Sequence, residues 1–157
     1  MVNGTSVMVS SLMRGSGHRN HISMGAVGER PRPGQQASAV HTVLVVEDEV
    51  LVRLMIADVI RSAGYEVIEA ANADEALEVL AHTHGVSLII SDIRTPGSLD
   101  GLRLAQLVRS HRPAVPIVLT SGHLRNVDSV DHDGFFPKPY DARKIVEHIE
   151  ALLARKR

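Results

Sequence analysis

Four short apolar runs in this sequence each end on polar or charged side chains. The clearest is Leu88-Ile89-Ile90, which runs into Ser91 and Asp92 and is soon followed by Pro96 and Gly97. A continuous apolar run of this length, closed by Pro and Gly, predicts a strand buried on both faces of a parallel sheet. The other three runs end in the same way: 43–46 on Glu47-Asp48, 117–119 on Thr120-Ser121, and 135–136 close to Lys138. Because the ligand crevice of an open α/β sheet lies at the carboxyl ends of its strands, we expect these polar side chains to share one rim.

Helical patterns alternate with these strands. An apolar stripe over 52–63 ends at Gly64, and 65–70 alternates like a half-exposed edge strand. Asn72 with Glu75, Asp100 and Asp141 are start signals for three further helices. Residues 123–132 are mostly polar and predict only a short or irregular helix. The order predicts five strands and five helices, hence a parallel sheet with right-handed crossovers and helices on both faces.

Composition separates a tail from this domain. Residues 1–40 contain six Gly, six Ser and two Pro without periodicity, so we predict a disordered tail over 1–40 and one domain over 41–157. The tail carries a charge of +3 and the domain −4, and an acidic domain is a poor match for DNA. The chain has no cysteine, which excludes disulfides and thiolate sites. No apolar run approaches the roughly 18 residues of a membrane span, and residues 1–20 lack a secretory signal. We therefore expect a cytoplasmic protein with no membrane association.

The strand-end motifs resemble those of a known family. Val-Val-Glu-Asp-Glu follows the first strand, Ser-Asp-Ile-Arg-Thr-Pro-Gly the third, Thr-Ser-Gly the fourth and Pro-Lys-Pro-Tyr the fifth. Together, over residues 42–155, they resemble the receiver domain of two-component response regulators. The resemblance implies a flavodoxin-like (βα)5 three-layer sandwich with a parallel sheet of strand order 2-1-3-4-5.

The resemblance also implies a role for each acidic residue. Asp92 is the expected phosphoacceptor and a metal ligand. Asp48 is expected to bind Mg²⁺ directly, Glu47 through a metal-bound water, and Arg94 through its backbone carbonyl. Three carboxylates in one pocket repel one another, and an oxygen-preferring divalent cation relieves that repulsion.

Further positions complete the implied site. Thr120 is expected to contact the phosphoryl group and Lys138 to bind a phosphoryl oxygen. Phe135 falls at the aromatic switch position, three residues before Lys138. The Lys138–Pro139 peptide bond is expected to be cis.

The implied function is that of a stand-alone phosphorelay switch and not of an enzyme. The phosphoryl donor would be a phosphohistidine on a sensor histidine kinase or a histidine phosphotransfer protein. The output would be contact with a downstream protein target, with no DNA binding, and the implied fold would allow a weak homodimer.

Two departures and two alternatives accompany this interpretation. The segment from Asp92 to Gly101 is one residue longer than usual, near Ser98, and the segment from Thr120 to Lys138 is shorter.

One alternative is a haloacid-dehalogenase-like phosphatase, but that family has a second Asp where this chain has Arg94. The other is an unphosphorylated, receiver-like protein-binding module, although such modules usually lose part of the carboxylate and lysine set.

Overall fold

The computed structural model describes residues 40–123 and 127–155. Apart from Val40, the predicted tail over residues 1–40 lies outside the described residues, as do residues 124–126 within the predicted domain.

The five predicted strands form one parallel sheet. They are β1 (Thr42–Val46), β2 (Glu66–Ala70), β3 (Val86–Asp92), β4 (Ile117–Ser121) and β5 (Gly134–Pro137). Their order across the sheet is β2-β1-β3-β4-β5, and every neighbouring pair is parallel. The flavodoxin-like fold class and the strand order are therefore confirmed.

The described ranges contain four α-helices: α1 (Val50–Ser62), α2 (Ala73–His82), α3 (Gly101–His111) and α4 (Ala142–Ala154). The first three connect successive strands, and α4 follows β5. Three of the four helices begin at the predicted caps. The side chain of Asn72 accepts from the Glu75 amide at 2.8 Å, Asp100 from the Arg103 amide at 2.8 Å, and Asp141 from the Arg143 amide at 2.9 Å. These bonds satisfy amides that a helix start leaves unpaired. No helix of the described ranges has the length and apolarity of a membrane span.

The sheet separates two apolar clusters, because successive strand side chains point to opposite faces. We name each after the helices that cover it. The α1/α4 cluster consists of Val43, Val45, Ile56, Ile60, Leu88, Ile90, Val118, Ile145, Ile149, Leu152 and Leu153. The α2/α3 cluster includes Leu44, Val46, Ala73, Ala76, Leu80, Ile89, Leu104, Ala105, Val108, Ile117 and Leu119. These side chains hold the strand ends in a fixed arrangement.

The fourth of the five predicted helices, expected to be short or irregular, is short in the described residues. Between β4 and β5 the described residues contain one 3₁₀ turn, Val127–Ser129, where the fourth of five helices was expected. Val127 and Val130 reach the α2/α3 cluster from this segment. A helix is stabilised mainly by burying a continuous apolar face, and two valines do not make one. A polar contact ends the segment: Asp133 accepts from the Ile117 amide at 2.8 Å.

Candidate functional site

Strand register brings the predicted rim residues together. Asp92 at the end of β3 is paired with Thr120 near the end of β4. By alternation both lie on the sheet face of Ile90 and Val118, which α1 and α4 cover. Glu47 follows β1 directly, and its amide donates to the Ala70 carbonyl of β2 at 3.1 Å. The carboxyl edge of the sheet is thus the rim that the sequence predicted.

Three carboxylates and one ammonium form the centre of this rim. Glu47, Asp48 and Asp92 each offer a carboxylate oxygen, and these atoms lie within 4.8 Å of one another. Glu47 is 4% exposed and Asp92 6% exposed, whereas Asp48 is exposed to solvent. The Lys138 Nζ lies 2.6 Å from Glu47 Oε2 and 2.6 Å from Asp92 Oδ2. We call these four residues the rim cluster; its formal charge is negative, since one cation faces three acids.

Burial and neighbouring charges shift the pKa values of two members of the rim cluster. Burial raises the pKa of Glu47; the hydrogen bond and charge of Lys138 oppose the rise, and the Asp92 charge adds to it. Burial also acts to lower the pKa of Lys138, but its hydrogen bonds with Asp92 and Glu47 raise that pKa overall. Lys138 is thus held charged by two carboxylates, while Glu47, nearly completely buried, is disfavoured as an anion. The rim cluster therefore favours an additional cation.

The donor set matches the preferences of Mg²⁺, which takes oxygen ligands and usually only one or two carboxylates. The exposed Asp48 gives an ion direct access from solvent. The Arg94 amide donates to Asp92 Oδ1 at 3.2 Å, so the Arg94 backbone runs beside the cluster. The individual ligand roles of Asp48, Glu47, Asp92 and the Arg94 carbonyl stay predictions.

The remaining predicted positions divide between the two faces of the sheet. Thr120 is 1% exposed and lies at the rim. The Lys138–Pro139 peptide bond is cis, and the Lys138 amide donates to the Ser121 carbonyl at 2.7 Å. Phe135 is half-buried against the α2/α3 cluster, on the face opposite Thr120. The structure therefore gathers the rim residues but not the expected aromatic switch residue, whose role stays a prediction.

Two residues near the rim were not identified from the sequence. Arg53 of α1 donates to the Glu47 carbonyl at 2.6 Å and lies 3.5 Å from Glu69 of β2, so it fixes the backbone next to the cluster. Tyr140 buries its hydroxyl behind the rim. Nothing in the local pattern marks Arg53, since its partners belong to other elements. Tyr140 could have been found from its position two residues after Lys138.

The lengthened segment after β3 is attached to α2. The Ser98 amide donates to Asp74 Oδ2 at 2.8 Å, and the Ser98 hydroxyl donates to the other oxygen of the same carboxylate. These bonds from Ser98 lower the pKa of Asp74. Gly97 has a φ of 124°, where a Cβ would collide with the Asp74 carboxylate. The extra residue is thus part of a defined turn.

Comparison with known proteins agrees with this geometry. Residues 43–150 match the family of response regulator receiver domains. The chain is 33% identical over 120 residues to the sensor kinase CckA of Brucella abortus, covering 73% of this chain and 13% of CckA. It is 33% identical over 130 residues to the transcriptional regulatory protein PdtaR of Mycobacterium tuberculosis, covering 80% of this chain and 62% of PdtaR. The chain therefore spans less than two thirds of the length of either relative.

Solved structures give the same answer. The response regulator TrrA of Thermotoga maritima, in complex with Mg²⁺-BeF, superposes with a TM-score of 0.66 at 27% identity, covering 72% of this chain and 99% of TrrA. The family match begins at the second residue of β1 and ends within α4. It therefore includes all four members of the rim cluster. From its sequence, its strand order and its acidic rim, this chain belongs to the response regulator receiver domain family.

Proposed function

We propose that this chain is a phosphoacceptor in a two-component phosphorelay and that Asp92 carries the phosphoryl group. One observation supports the proposal above the others: a buried carboxylate lies 2.6 Å from an ammonium and shares a small space with two further acids. Such a site can accept a phosphoryl anion if a metal ion and the lysine offset its charge.

The chemistry of the proposed step is simple. An Asp92 oxygen attacks the phosphorus of a phosphohistidine, the new P–O bond forms as the P–N bond breaks, and the imidazole leaves. Lys138 then pairs with a phosphoryl oxygen, and the Thr120 hydroxyl donates to another. Asp48, Asp92 and the Arg94 carbonyl would hold Mg²⁺, with Glu47 acting through a water, and the ion would supply positive charge that offsets the charge of the phosphoryl group. The chain positions the reacting groups and neutralises the charge of the phosphoryl group, and the phosphohistidine donor supplies the free energy of the transfer.

The proposed partners are proteins. The donor would be a sensor histidine kinase or a histidine phosphotransfer protein in the cytoplasm, and the output a downstream protein target. One turn of α1 beside Asp48 exposes apolar side chains, among them Leu51 at 77% exposure and Leu54 at 49%. Exposed apolar groups next to a reactive rim favour docking of a protein and not of a small phosphate ester. A weak homodimer and the absence of DNA binding stay predictions.

Mass spectrometry tests the proposal. Incubation with Mg²⁺ and acetyl phosphate should add about 80 Da, one phosphoryl group. Asp92→Asn should abolish the adduct, whereas Asp58→Asn, at an exposed position of α1, should keep it. An adduct that survives Asp92→Asn would contradict the assignment of Asp92.

Adduct formation and the turnover of a small phosphate ester together separate the alternatives. A haloacid-dehalogenase-like phosphatase would turn over small phosphate esters. That chemistry needs a second acid at the position of Arg94. The Arg94 guanidinium lies there instead, with its Nη1 3.5 Å from His123 Nδ1. We therefore expect no steady turnover of p-nitrophenyl phosphate. A protein-binding module would form no adduct with either acetyl phosphate or a phosphorylated kinase, and that result would replace the proposal.

A further inference from the structure

One buried polar atom next to the rim has no role in the chemistry above. The Tyr140 hydroxyl is shielded from solvent and finds no hydrogen-bond partner in the part of the chain that the structure describes. Its ring packs against the α1/α4 cluster. Buried hydroxyls are nearly always paired, so an unpaired one at a candidate site needs an explanation.

The surroundings of this hydroxyl point to Thr120. Tyr140 follows Lys138 by two residues and lies on the sheet face that Thr120 shares with Asp92. Burial raises the pKa of Tyr140 to about 12; the charge of Lys138 and the close approach of the Thr120 side chain oppose the rise, and the charges of Glu47 and Asp92 add to it. Thr120 is thus near enough to act on the phenol, although the two hydroxyls do not form a hydrogen bond of normal geometry. With that pKa, Tyr140 keeps its proton at any physiological pH and can only be a neutral donor or acceptor.

We propose that Tyr140 is a positioning residue for the phosphorylated state, in which its hydroxyl donates to the Thr120 oxygen while the Thr120 hydroxyl donates to a phosphoryl oxygen on Asp92. The inference rests on the proposed function, because it needs a phosphoryl group, or an analogue of one, at Asp92.

The hydrogen-bonding capacity of the two residues supports this arrangement. A threonine hydroxyl has one donor and two acceptor sites, so once its proton is directed at the phosphoryl group its oxygen can accept from Tyr140. In such a chain each bond polarises the next, which strengthens the bond to the anion. The unpaired hydroxyl is a cost to the unphosphorylated state that phosphorylation removes, so Tyr140 shifts the equilibrium toward the phosphorylated state.

Phe135 does not offer the same function. It lies on the opposite face of the sheet, against the α2/α3 cluster, and it has no hydroxyl. The chain has two tyrosines, and the other, Tyr65, is next to β2 and packs at the far end of the α1/α4 cluster. Tyr65→Phe is therefore a matched control that removes a phenol hydroxyl away from the rim.

The test compares the stability of the resting protein with its affinity for Mg²⁺-beryllofluoride, the analogue that TrrA binds. In EDTA, Tyr140→Phe should unfold at the same denaturant concentration as the wild type or a slightly higher one, because it removes an unpaired buried group. Calorimetry should show that Tyr140→Phe binds beryllofluoride about fivefold more weakly, the value of one neutral hydrogen bond. Tyr65→Phe should bind like the wild type. Equal affinity of the wild type and Tyr140→Phe for beryllofluoride would overturn the inference. A Tyr140→Phe protein that is less stable in EDTA, by as much free energy as its binding is weakened, would also overturn it.

A double-mutant cycle identifies Thr120 as the intermediary. In a Thr120→Ser background, which keeps the hydroxyl, Tyr140→Phe should again weaken binding by about fivefold. In a Thr120→Val background it should have no effect. If Tyr140→Phe weakens binding equally in Thr120→Val, the phenol acts on the anion directly and the inference is wrong. If the wild type binds no beryllofluoride and forms no adduct, it is the proposed function that fails.

Discussion

Acidic clusters lie at both edges of the sheet, and the two are balanced differently. At the carboxyl edge is the rim cluster, in which Glu47, Asp48 and Asp92 share Lys138. At the amino edge Arg109 of α3 lies 2.5 Å from Asp133 and 3.0 Å from Asp131. We call these last three residues the amino-edge cluster.

At the amino edge, Asp133 is held by several hydrogen bonds. Asp133 Oδ2 accepts from Arg109 Nη2 at 2.5 Å and from the Ile117 amide at 2.8 Å. Its carbonyl lies 2.7 Å from His148 Nε2 of α4, and Asp131, at 81% exposure, remains hydrated. The cluster connects α3, β4, β5 and α4 beside the segment whose described residues form one 3₁₀ turn, Val127–Ser129. This arrangement stabilises the fold, because one guanidinium pairs with both carboxylates. The acid in excess, Asp131, is exposed to water and not buried.

The rim cluster has the opposite character: two of its three acids are buried, and among the described residues Lys138 is the one cation paired with them. Similar residue types therefore give a structural connection at one edge and a binding site at the other. The difference is in charge balance and burial, and four predictions test it.

The largest expected effect is at Lys138. Without metal, Lys138→Met should lower the free energy of unfolding by about 3 kcal/mol, because it leaves two buried carboxylates without a cation. Added Mg²⁺ should restore part of that loss. Chemical unfolding in EDTA and in Mg²⁺ measures both, and Lys144→Met, at an exposed position of α4, is the control. An unchanged stability in EDTA would mean that the rim carboxylates do not need the lysine.

A mutation in the amino-edge cluster should lower the stability of the fold and leave phosphorylation unchanged. Arg109→Met should lower the free energy of unfolding by about 2 kcal/mol, since it breaks a partly buried ion pair. The phosphoryl adduct on the folded protein should be unaffected. Arg103→Met on the same helix, where the guanidinium bonds to Gln106, should cost little. Loss of the adduct at unchanged stability would show that the two edges are coupled.

Metal should stabilise the protein only through the rim. At ten times its dissociation constant, Mg²⁺ should add about 1.4 kcal/mol to the free energy of unfolding by mass action. Asp48→Asn should lose most of this gain, and Asp131→Asn should keep it. Thermal unfolding over a Mg²⁺ titration provides the measurement, and an equal gain in Asp48→Asn would remove Asp48 from the metal site.

The smallest effect is a pH dependence at Glu47. The folded pKa of Glu47 is raised above the unfolded value of 4.5. Its stabilising contribution is therefore complete below pH 4.5 and is lost as the pH rises through the folded pKa. In EDTA, Glu47→Gln should thus be more stable than the wild type at neutral pH, by less than about 1 kcal/mol, and the difference should vanish in acid. Glu78→Gln, exposed on α2, should show no such trend. If the stability gain of Glu47→Gln grew as the pH fell, the pKa of Glu47 would be lowered by folding and not raised.

Much of the fold could be predicted because its signals are local. The caps at Asn72, Asp100 and Asp141 were identified from the sequence and are present. The polar segment between β4 and β5 was predicted to hold a short or irregular helix, and its described residues form a 3₁₀ turn, Val127–Ser129. The contact of Asp133 with the Ile117 amide, which follows this turn, could not be predicted from the sequence. A short polar segment takes its conformation from its surroundings and not from its own periodicity.

The sequence by itself determined the strands, the cap residues and the motifs that converge at one rim, because hydrophobic periodicity and capping act over a few residues. The tertiary structure alone decided how the charges and hydroxyls are shared. It paired Lys138 with two acids 46 and 91 residues away and placed Phe135 on the face opposite Thr120. It also left the Tyr140 hydroxyl without a hydrogen-bond partner among the described residues. Those outcomes follow from crossovers and packing between distant elements, since a side chain's partners depend on which strands become neighbours.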